Sequence, residues 1–206
     1  VQEALKKMDL LHAEWHLVGH LQRNKAKFAP RFALVHSLDS LRLAEALEKV
    51  GEKAGVRLKV LVEVNLGREP QKHGVLEEEL PELLPRLREM PHLEVLGLMT
   101  VPPIGPEAVV RPIFRRLSEL ADRYGLPERS MGMSDDYEWA VEEGATLVRV
   151  GRALFVYFGR SCTFRPWTYA TRSSPGPFAA TTGGRCGSTW PGSPRPWRPS
   201  SGRTRP

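Results

Sequence analysis

The side chains best suited to chemistry lie late in the chain. In Ser130-Met131-Gly132-Met133-Ser134-Asp135-Asp136, Ser134 falls where a strand-like run gives way to a helix-like one. A hydroxyl there, with the amides that follow, can hold a phosphate at the positive end of a helix. The same hydroxyl can simply cap the helix. Asp135 and Asp136 favour that simpler role, because carboxylates repel a phosphate. Val150-Gly151-Arg152 is a second turn of the same kind. Gly151 allows close approach of backbone to ligand, and the amides of Gly151 and Arg152 can point at one anion. Two such turns on consecutive strands can share a phosphate. Arg149 precedes the second turn on an otherwise apolar run. It either pairs with a buried carboxylate or donates to a ring nitrogen. Arginine stays protonated, so in the second role it would leave a pyridine nitrogen unprotonated.

Other spacings carry less. His12 and His16 sit four apart with Glu14 between them, but a metalloprotease needs Glu directly after the first His. Gly132-Met133-Ser134 lacks the second glycine of a nucleophile elbow. There is no Walker loop and no Gly-x-Gly-x-x-Gly. Cys162 and Cys186 have no metal-ligand spacing, and no metal site is expected. Lys25, Lys27 and Lys72 read as solvated charges.

The elements that must position these residues follow a regular pattern. Strand-like runs fall at 15–18, 32–36, 58–64, 93–99, 129–131 and 146–150. Helix-like runs fall at 38–54, 76–90, 109–124 and 135–143, with Gly125 placed to end the third. Val60, Leu61, Val62 and Val64 form the near-continuous apolar run of a parallel strand covered on both faces. Six strand–helix units result. A doubly wound sheet and an incomplete (β/α)8 barrel both fit that count.

Charge divides the chain in two. All 206 residues together carry +6. Residues 156–206 hold eight Arg and no Lys, Asp or Glu. Residues 1–155 therefore hold 22 basic and 24 acidic side chains, a net of −2. The last 51 residues also lack Leu, Ile and Met, so they have little to bury against their ordering entropy. Arg with Trp can stack on nucleic-acid bases, but functional basic arms cluster their charges and include Lys. Scattered Arg, Pro, Gly, Ser and Trp suit a disordered tail or a G+C-rich gene read out of frame. The second of these is the favoured expectation, and no nucleic-acid partner is expected. No apolar run nears the roughly 18 residues of a membrane span. Val1 begins inside a helix-forming run with no preceding cap, so the chain is expected to be truncated at its front.

Six motifs together carry a resemblance. They are 15–25 (WHLVGHLQRNK), 36–40 (HSLDS), 64–74 (VNLGREPQKHG), 97–103 (GLMTVPP), 130–136 (SMGMSDD) and 148–155 (VRVGRALF). As an ordered set they resemble the pyridoxal phosphate homeostasis protein family, a single-domain relative of the alanine racemase N-terminal barrel. The match covers 1–155 and none of 156–206. It implies a (β/α)8 TIM-type barrel of pyridoxal phosphate fold type III, with about six of eight units present. It implies pyridoxal 5′-phosphate as cofactor, buffered or delivered inside the cytoplasm by a monomer, with pyridoxal-phosphate-dependent apo-enzymes as recipients and no established turnover. By position, Ser134 and the amides of Gly151 and Arg152 would bind the phosphate, and Arg149 would face the pyridine nitrogen. His16, Asn65, Met99 and Thr100 would line the ring. Family members hold the cofactor as a Schiff base to a lysine on the first barrel strand. That strand would precede Val1, so no catalytic residue is assigned. The alternatives are an amino-acid racemase or decarboxylase of the same barrel type, and an Arg-rich nucleic-acid binder.

Overall fold

The computed structural model describes residues 1–156. The tail expected at 156–206 thus lies, beyond Val156, outside the described residues. In chain order the elements are α1 (Gln2–Met8), β1 (His16–Leu17), a 3-10 helix (Arg23–Arg31), β2 (Leu34–Leu38), α2 (Leu41–Ala54) and β3 (Leu58–Glu63). A short 3-10 turn (Glu77–Glu79), α3 (Leu80–Arg88), β4 (Leu93–Met99), α4 (Glu107–Arg123), β5 (Glu128–Ser130), α5 (Tyr137–Glu142) and α6 (Arg152–Val156) follow.

The five strands form one parallel sheet in the order β1-β2-β3-β4-β5. A doubly wound sheet reverses its strand order at a switch point. Here each strand lies beside its predecessor, as in a (β/α)8 barrel. The order decides between the two architectures that periodicity left open.

One strand needs correction. The run at 146–150 makes a single bridge, Ser130 with Leu147, and no strand. The amides of Thr146 and Leu147 both donate to the Arg129 carbonyl, at 3.0 and 3.1 Å. Two successive amides on one acceptor break the alternate spacing of a ladder. Backbone bonds from Met131 to the Leu147 carbonyl and from Arg149 to the Gly132 carbonyl still hold the segment against β5.

Local signals explain the helices. Ser40 is extended and its Oγ accepts the Leu43 amide at 3.3 Å, which starts α2. Leu43, Ala44 and Leu47 bury one face, and Gly55 at φ 65° ends the helix in the left-handed region. The 3-10 helix was not apparent in the sequence. Its buried residues Ala26 and Ala29, with Phe32 just beyond, repeat every three positions, which is the pitch of that helix.

The sheet has two faces. Val35, Val60, Val62 and Leu98 join Leu47, Leu84, Leu87, Phe114 and Leu117 in the large core under the helices. Leu34, Leu61 and Met99 form a smaller cluster on the other face, with Leu96, Val101 and Leu147 packed against it. Side chains two apart on a strand share a face. His36 therefore follows Leu34 and Glu63 follows Leu61, and Arg149, outside any strand, reaches Ser130 through its side chain. The interior face is apolar at one end and polar towards the strand C-termini.

Candidate functional site

The polar end of that face is a chain of hydrogen bonds drawn from separate elements. Arg149 Nη1 donates to Ser130 Oγ at 2.7 Å, and Nη2 donates to the Thr100 carbonyl at 2.9 Å. Ser130 Oγ lies 2.8 Å from His36 Nδ1, and His36 Nε2 lies 3.1 Å from His16 Nδ1. Arginine only donates. Ser130 is fully buried, so the outlet left for its own proton is His36 Nδ1. His36 then carries its proton on Nε2 and donates to His16. This direction is assigned from the network.

The electrostatics agree with that assignment. Burial, followed by Coulombic interaction with His16 and Arg149, pushes the His36 pKa down to about 3. His36 is thus neutral at neutral pH. Burial also holds the Glu63 carboxyl above its ordinary value, with Asp39 adding to the effect. Arg149 is lowered by burial, while Asp136 and Glu63 oppose the shift. No carboxylate hydrogen-bonds Arg149 among the described residues, so the buried ion pair considered from sequence is replaced by a hydroxyl and a carbonyl. Two of its five donors are used.

The two late turns meet. Ser134 Oγ accepts the Gly151 and Ala153 amides, each at 3.2 Å. Ser134 is not the cap of α5. That position is Asp136, whose Oδ1 accepts the Met133 amide at 2.5 Å. Asp135 is ion-paired with Arg152, which offsets the repulsion that counted against an anion. Gly151 is exposed, and a Cβ built on it meets nothing within 4 Å. A hydroxyl and convergent amides beside open space fit a phosphate monoester.

The remaining expected residues divide. Thr100 is buried, and its Oγ1 donates to the Val64 carbonyl at 2.8 Å. Met99 is buried in the interior cluster. Asn65 turns inward on its own loop: its Nδ2 donates to the Glu69 carbonyl at 3.0 Å and its Oδ1 accepts the Glu69 amide at 3.3 Å. It shapes the loop that carries Lys72, whose Nζ donates to the Val101 and Pro102 carbonyls. Residue-by-residue reading of the sequence left out His36, Ser130 and Glu63. For His36 and Glu63 the signal was a polar residue two positions beyond an apolar one within a strand; Ser130, which follows Glu128 in β5, carried no such signal.

Comparison with known proteins follows the same outline. The family described as alanine racemase, N-terminal domain, matches residues 1–158. Alanine racemase of Clostridium difficile 630 shares only 14% identity yet superposes with a TM-score of 0.63 over 75% of this chain and 42% of its own. The chain is therefore a barrel protein of the alanine racemase N-terminal type, represented by part of the barrel. Closer relatives narrow the class. A pyridoxal phosphate homeostasis protein of Aquifex aeolicus is 49% identical over 162 residues, covering 74% of this chain and 69% of the relative. One from Deinococcus radiodurans is 46% identical over 143 residues, covering 69% and 68%. PipY of Synechococcus elongatus PCC7942, solved with pyridoxal phosphate bound, is 36% identical with a TM-score of 0.67, covering 75% and 77%. This chain belongs to the pyridoxal phosphate homeostasis protein family.

Proposed function

We propose that this chain binds pyridoxal 5′-phosphate and serves intracellular homeostasis of that cofactor, buffering or delivering it without turnover of its own. The observation that carries the reading is the convergence of Ser134 Oγ with the Gly151 and Ala153 amides beside open space. The phosphate would take the place of the bonds that these groups now make to each other, with the Arg152 amide and side chain beside it. Bound, the cofactor supplies a reactive aldehyde and an electron-withdrawing ring. Arg149 would donate to the ring nitrogen from its free N–H groups, so the nitrogen stays unprotonated and the ring is a weak electron sink. That supports a carrier over a racemase. Met99 and Thr100 would border the ring, with His16 at the far end of the polar chain and Asn65 holding the loop beside it. Soluble pyridoxal-phosphate-dependent apo-enzymes would receive the cofactor.

Equilibrium dialysis against pyridoxal 5′-phosphate and against pyridoxal tests the phosphate assignment. The parent chain should prefer the phosphorylated form. Ser134→Ala should cut that preference about tenfold, the worth of one hydrogen bond to a charged group. Equal preference in parent and variant would overturn the assignment. Measurable racemisation of an amino acid by the loaded chain would favour the enzyme instead.

A further inference from the structure

Three side chains outside this site come together at the C-terminal side of the first three strands. We infer that His20, Asp39 and His73 form a binding site for a divalent transition-metal ion. The donor atoms of the three lie within 4.8 Å of one another. His20 Nδ1 is 2.8 Å from Asp39 Oδ2, and the rings of His20 and His73 stack at 3.9 Å with 12° between their planes. Each residue comes from a different loop, following β1, β2 and β3 respectively.

The chemistry of the set is selective. Two imidazoles and one carboxylate suit zinc and its first-row neighbours, and leave a position open for a further ligand. Calcium and magnesium prefer all-oxygen sites. Zinc–ligand bonds of about 2.0–2.1 Å in a tetrahedron place donors about 3.3 Å apart. Both histidines are exposed and can rotate the small distance needed. Asp39 is already oriented, because its Oδ1 accepts the Ser40 hydroxyl at 3.0 Å. That is the outer support which ligating carboxylates ordinarily have. His73 makes no hydrogen bond among the described residues, so its ring is available. The setting is also anionic. The adjoining cleft is lined by Asp39, Glu79 and Glu82, with Arg86 the one opposing charge. Glu63 lies within electrostatic reach of Asp39 and His20, and its buried Oε2 has no hydrogen-bond partner.

This site is independent of the cofactor reading, and its test uses metal alone. Zinc titrated into the full chain in a calorimeter should bind saturably at one site. His20→Ala and His73→Ala should each weaken binding at least about tenfold, whereas His12→Ala should leave it unchanged. Cobalt in place of zinc should give visible d–d bands, and magnesium should give no heat. Should either variant lose its circular dichroism spectrum, the His20 and His73 ring-proton shifts of the parent on zinc addition decide instead. No zinc binding at about 1 mM, a Kd unchanged in both variants, or ring protons that do not move would overturn the inference.

Discussion

Arg149 ties the interior polar chain together, and its substitution tests the whole of it. Arg149→Met removes both donors and leaves the buried Ser130 hydroxyl and Thr100 carbonyl short of partners. The expected loss is about 2–4 kcal/mol in urea unfolding, one to three for each orphaned group less partial relaxation. His36 makes stability depend on pH. Its folded pKa, about 3, lies below the ordinary 6.5. Between these values the unfolded chain binds a proton that the folded chain refuses. Stability should therefore fall as pH drops from about 6.5 towards 3. Glu63 has the opposite sign, since its raised carboxyl holds a proton longer when folded. His36→Gln should flatten the acid limb measured by thermal melts at stepped pH. An unchanged slope would mean that His36 is protonated in the folded state. Arg149 and Ser134 were legible as candidates because a polar residue at a strand end is conspicuous in sequence. That the Ser134 and Gly151 turns come to one place was legible from consecutive strand ends, but the bonds that Ser134 makes there were not. An N-cap and a hydroxyl that accepts amides 17 and 19 residues away have the same local sequence.

Among elements, β4 and β5 are held closely enough for a single methyl to matter. A Cβ on Gly97 would sit 1.9 Å from the Glu128 carbonyl oxygen, across the β4–β5 pair. Both are backbone and cannot rotate aside. Gly97→Ala should cost about 3 kcal/mol or more and weaken amide protection in β5 by hydrogen exchange. Ser40→Ala should cost about 1 kcal/mol through the start of α2, and it also removes the hydroxyl that donates to Asp39. Strands β3 and β4 matched their runs because Val60, Leu61 and Val62 in one and Leu98 and Met99 in the other are buried on both faces. The run at 146–150 offers residues of the same kind without the pairing. Its Val148 and Val150 are strand-like in type, but pairing depends on a carbonyl shared by two amides, which composition does not encode. The helix at 23–31 was missed because its burial period of three matches neither a strand nor an α-helix.

For the molecule as a whole, the helix-side core holds most of the stability. Phe114 is fully buried there among strand and helix residues. Phe114→Ala should cost about 3–5 kcal/mol, more than any substitution predicted in the polar chain, as measured by chemical denaturation. The basic balance of +6 does not describe this part of the molecule, because residues 1–155 carry −2. Net charge therefore gave a poor indication of partners. The barrel class was recoverable from alternating periods together with six ordered motifs. The convergence of His20, Asp39 and His73 was not, because residues 19 and 34 positions apart meet only through strand order.

That order also acts in time. Each strand pairs with the one synthesised just before it. Among the described residues, a ribosome extruding this chain delivers every new strand to an edge already in place. The polar links behave differently. His36 and Ser130 are 94 residues apart, so their bond closes only after β3, α3, β4 and α4 have emerged. The scaffold can assemble stepwise behind the nascent end, and the interior polar face is completed last.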